Sequence, residues 1–183
     1  MGVVAFVAGI AFLGAMVFLT TYVRTNLRVY DALENWSFLV LFVALAVLIL
    51  DLHRRYVDQA PIVWLFTVAG LAGALISLVG QVQVMFGGVP FGRIATRQTL
   101  AFVGVLIWIA GLSRIVISEG GLPPGLGWLG LVAVVTGAAI IGLLTRDPAL
   151  MKAERAPKSG ELVLGGVPFL GIAVWLFWLG NSL

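Results

Sequence analysis

Six stretches without Asp, Glu, Lys or Arg alternate with short charged segments along this chain: residues 1–23, 35–50, 59–92, 98–113, 120–145 and 162–183. A helix crossing a hydrocarbon core of roughly 30 Å needs about 20 mostly apolar residues. The pattern therefore predicts an all-α integral membrane protein, one domain over 1–183, with six transmembrane helices. Their expected spans are about 3–23, 32–50, 61–80, 98–117, 126–145 and 162–180. Five helices plus a re-entrant segment is the alternative architecture.

Local chemistry refines these spans. The apolar run from Trp36 to Leu50 is short for a crossing. Asp31 followed by Glu34 offers a capping-box start that lengthens it to 32–50. Trp36 then falls near the headgroups, where its amphipathic ring is favoured. Pro61 suits the first turn of the third helix, where its missing N–H costs nothing. The softer segment Gln81–Phe86 follows that helix. Pro123-Pro124-Gly125 forces a tight connection and an antiparallel pairing of the fourth and fifth helices. The first run lacks the basic n-region of a secretory signal and is long enough to span, so it reads as a retained helix. Phe6 stands where a myristoylation motif places Ser or Thr.

Lys and Arg give the orientation, because acidic residues contribute little to the bias. Arg24, Arg28, Arg93, Arg97, Arg146, Lys152, Arg155 and Lys158 fall on one side, against Arg54, Arg55 and Arg114 on the other. The expectation is a multi-pass protein of a prokaryotic cell membrane with both termini outside and loop 146–161 in the cytoplasm. Within that loop, Asp147, Pro148 and Pro157 allow a short surface helix around 148–155, weighed against a solvated loop.

Composition narrows the classes further. Of 183 residues, 61% are hydrophobic and 10% charged, against about 25% charged in soluble domains. With no cysteine and His53 as the one histidine, thiolate sites and multi-histidine metal or haem sites within the chain are excluded. No cofactor is expected. The net charge of +3 is spread between apolar runs as topology signals are, so nucleic acid is not an expected partner. None of the eight acidic residues falls mid-span, which argues against a carrier built on a buried carboxylate and against an aspartyl intramembrane protease. No Gly-x-Ser-x-Gly, His-Glu-x-x-His or Walker pattern occurs.

Three features remain as candidate contacts for substrate or lipid. The first is the cluster Asp51, His53, Arg54, Arg55, Tyr56 and Asp58, whose arginine forks match phosphate oxygens. The reading favoured for it is a helix C-terminus with its favoured cations and an interfacial anchor. The second is Arg114, with apolar neighbours on both sides, placed to snorkel to the interface or to pair with Asp51 or Glu119. The third is a repeated string. Gly87-Gly88-Val89-Pro90-Phe91 recurs as Gly165-Gly166-Val167-Pro168-Phe169, and each continues with Ile-Ala three positions on, at Ile94-Ala95 and Ile172-Ala173. Corresponding Gly/Pro interruptions can mark the broken helices of a transporter, although 23 glycines make coincidence easy.

Small residues four apart recur as Ala69, Gly73 and Ser77, as Ala133 and Gly137, and as Ala138 and Gly142. Such stripes let helices approach closely in lipid, within the bundle or against a partner. The reading these features favour is a non-catalytic accessory or scaffold subunit of a larger membrane complex, bound to other membrane subunits or to its own copies. A small transporter or channel using the Gly-Gly-Val-Pro-Phe breaks with Gln81, Gln83 and Gln98 is the alternative. A lipid-binding or lipid-modifying enzyme comes third.

Overall fold

A computed structural model describes residues 2–25, 27–58, 60–147 and 159–183, with side chains at 23, 24 and 159–168 excepted. Six helices and no strand occur among the described residues: α1 (Gly2–Thr25), α2 (Arg28–Tyr56), α3 (Val63–Met85), α4 (Phe91–Glu119), α5 (Pro124–Arg146) and α6 (Ser159–Ser182). The first five are long and apolar enough to cross a membrane. In α6, the apolar stretch with described side chains is Phe169–Ser182.

The helices outrun the spans expected of them. α2 begins at Arg28 after Leu27, so Asp31 and Glu34 lie inside its first two turns and do not cap it. Its opening turn is closed by the Tyr30 amide on the Leu27 carbonyl, 3.0 Å away. The capping-box expectation confused the edge of the hydrocarbon with the end of the helix. A polar turn in the headgroup region satisfies its backbone helically as well as an apolar one does. α4 likewise begins at Phe91, because Pro90 blocks any earlier helical turn. α3 starts at Val63, with Pro61 in the preceding turn, and continues through Gln81 and Gln83 to Met85. The surface helix expected around 148–155 lies outside the described residues.

Each helix packs on its predecessor and its successor, and α6 packs back on α1. The six therefore form a closed ring with alternating directions. Residues that join elements are small: an added side chain at Gly2 would run into the Gly180 carbonyl, and one at Gly125 into Trp178. Between α3 and α4 the backbones nearly touch. A Cβ on Gly104 would sit 2.5 Å from the Ala69 carbonyl oxygen, and Gly73 lies against the Ala101 carbonyl. Gly70 makes room for Trp108, which meets Trp175 of α6 edge-on at 5.8 Å. These two rings are almost fully buried.

The outer surface is as apolar as the interior. Val3, Leu65, Leu100, Trp128 and Val135 are each more than 60% exposed. A surface of this kind suits lipid and is costly in water. Aromatic residues mark its limits. Trp36, Phe86 and Phe91 are exposed at one end, and Trp64, Trp128 and Trp178 at the other. Along α2, Trp36 and the His53 that touches Trp64 are about 26 Å apart in helical rise. That separation is close to the thickness of a hydrocarbon core.

Candidate functional site

The polar residues singled out from the sequence are mostly engaged between helices. At the end of α2, His53 Nδ1 and Thr67 Oγ1 of α3 are hydrogen-bonded at 3.0 Å, and the imidazole meets Trp64 edge-on. Arg55 donates to the Gly121 carbonyl at 3.0 Å, and the Tyr56 hydroxyl donates to the Gly120 carbonyl at 3.2 Å. Gly120 and Gly121 have φ of 79° and 80°, which glycine alone adopts without strain, and this turns their carbonyls toward α2. Three members of the cluster thus tie α2 to α3 and to the α4–α5 turn. Arg54 is exposed and bonds to none of the described residues.

The opposite end carries a carboxamide seam across α2, α3 and α4. Gln81 donates to the Asn35 side-chain oxygen, and Asn35 donates to the Asp31 carbonyl at 2.7 Å. Arg97 donates to Gln83. Gln98 Nε2 donates to the Ser77 carbonyl at 3.1 Å, while its Oε1 is buried without a partner. Each of the three glutamines proposed as neutral ligands therefore has one hydrogen bond to an adjacent helix.

The two copies of the repeated string adopt different structures. In the first, the Gly87 and Val89 amides donate to the Gln83 carbonyl at 3.0 and 3.2 Å, and so close the end of α3. Gly88 has φ of 61°, and Pro90 directly precedes α4. The glycines and proline are accounted for by this turn. The second copy lies inside α6, whose helical backbone continues through Gly165, Gly166 and Pro168.

Sequence reasoning missed a central cavity of about 70 Å³. α1, α2, α4 and α6 face one another across it, and α3 and α5 fill the gaps in the ring. Its walls include Phe12, Phe38, Phe42, Phe102 and Phe169, with Phe12 and Phe169 5.6 Å apart. Apolar cavities of this kind stay dry, so the space offers no polar ligand a partner.

Arg114 lies on the outer face of α4, exposed, beside a second and larger recess of about 520 Å³. The pairings with Asp51 or Glu119 weighed from the sequence are not formed, and Glu119 instead accepts from the Ser118 hydroxyl at 3.2 Å. Among the described residues no three of His, Asp and Glu come together as a metal site requires. No family model matches the chain, and no curated protein and no solved structure matches it.

Proposed function

We propose that this chain is a non-catalytic multi-pass membrane protein serving as an accessory or scaffold subunit of a larger membrane assembly. One observation carries the reading: His53, Arg55, Tyr56, Gln81, Gln83 and Gln98, residues suited to chemistry, are bonded to neighbouring helices or to the α4–α5 turn. Groups fixed in this way hold a ring together rather than meet a substrate. The unbroken α6 backbone and the apolar cavity favour this reading over a carrier, which needs interrupted helices and polar ligands at its site.

In this reading α6 is the sixth span, since its 24 residues rise about 36 Å beside α1 and α5. The bundle sits in a prokaryotic cell membrane with both termini outside, as the arginine and lysine bias directs. The partner-facing surface is the outer side of α5. Among the first five helices it is the one least buried by its own chain, and there Ala138 is exposed and Gly142 has open space around it. Gentle extraction from the native membrane, followed by native mass measurement, tests the proposal. Comigration with other polypeptides or with further copies is expected, and a lone monomer overturns it.

A further inference from the structure

The recess beside Arg114 forms where α4, the most buried of the first five helices, lies set back between α3 and α5. Its floor is Ala110 and Gly111 of α4. One wall is Phe66 of α3, and the other is Trp128 and Leu131 of α5. Phe66 can lie over α4 because Gly111 has no side chain; a Cβ there would overlap the ring. The recess therefore opens outward, toward lipid, with aromatic and aliphatic walls. Its volume of about 520 Å³ is in the range of pockets that take small organic ligands.

A guanidinium stands midway along the α4 side of this trough, with Ala110 and Gly111 deeper and Ile117 and Ser118 toward the end of the helix. Arg114 neither hydrogen-bonds nor pairs with any described residue, whereas Arg55 and Arg97 are both hydrogen-bonded to the protein. Along α3, Phe66 lies only about 3 Å deeper than Trp64, a residue of the aromatic belt. Arg114 is thus at headgroup depth, with five N–H donors and nothing of its own chain to receive them. The geometry points to a site for an anionic phospholipid, with its phosphate on Arg114 and an acyl chain between Phe66 and Trp128. The charge selects an anionic headgroup, because a zwitterionic one brings a cation next to the arginine. The walls select a lipid over a free anion, because Phe66, Trp128 and Leu131 offer a small ion nothing. This inference stands independently of the scaffold reading.

Native mass spectrometry of the purified full chain, titrated with phosphatidylglycerol and with phosphatidylcholine of the same acyl chains, tests it. The wild type is expected to retain phosphatidylglycerol at roughly tenfold lower lipid concentration than phosphatidylcholine. Arg114→Gln brings the two lipids level, and Arg114→Lys keeps part of the preference, because it keeps the charge without the planar fork. Ala110→Phe fills the floor and weakens both lipids. Arg54→Gln, an exposed arginine outside the recess, leaves the preference intact. A preference that survives Arg114→Gln, or that Arg54→Gln removes equally, overturns the site. Displacement of phosphatidylglycerol by millimolar inorganic phosphate overturns its assignment to lipid.

Discussion

The α3–α4 seam and the outer face of α5 both carry small residues, yet at Ala138 and Gly142 that outer face makes no helix contact with them. Gly73 and Gly104 bring two backbones together, while Gly142 has nothing within 4 Å and Ala138 is exposed. α5 contains both kinds of position, since its Gly130 and Gly137 lie against Ser113 and Leu106 of α4. Small residues four apart therefore show where close packing is permitted, and the neighbouring helix decides whether it occurs.

The contrast breaks most sharply at Gly104. The methyl of Gly104→Ala meets a backbone oxygen that cannot rotate aside, and the expected cost is about 3 kcal/mol. The loss is read as a lower thermal unfolding midpoint in detergent. Gly130→Ala is expected to cost about 2 kcal/mol, because its obstacles are side-chain atoms, Ser113 Oγ and Trp175 Nε1. Ser113→Ala removes the first obstacle and a buried hydroxyl without a partner, so the double variant should recover part of the loss. Tyr56→Phe deletes the bond to the Gly120 carbonyl and should lower stability by about 1 kcal/mol. The smallest effect belongs to Gly142→Ala, expected to raise the midpoint slightly, by about 0.5 kcal/mol through helix propensity alone. A loss of stability at Gly142 in the isolated chain would remove the distinction between the two regions.

The six helices were legible because charge-free runs of membrane-spanning length stand between charged segments. The ends of the helices were not, since the residues around Arg28 and Arg93 are polar and helical at once. Ring closure was hidden for a different reason. Helices that are apolar on all sides carry no amphipathic signal for which face turns inward, so Gly137 and Ala138 looked equivalent. The repeated string shows how far five residues can mislead. Gly87 and Gly88 form a turn in front of Pro90, whereas Gly165 and Gly166 continue a helix. At the end of α2 the polar residues stand out along the chain, but their partners at Thr67, Gly120 and Gly121 are 14 or more positions away.

The contact of α6 with α1 places Gly2 against Gly180, so the two ends of the chain meet on the same rim of the ring. A closed circle of staves has no mechanical first member. Ends that meet can be joined by a short linker and the chain reopened at an existing turn, as circular permutation does in domains with adjacent termini. Opened at the Gly87–Gly88 turn, the permuted chain would insert α4 first and α3 last while rebuilding the same six interfaces. A permutant that folded in this way would separate the order of insertion into the bilayer from the architecture it produces.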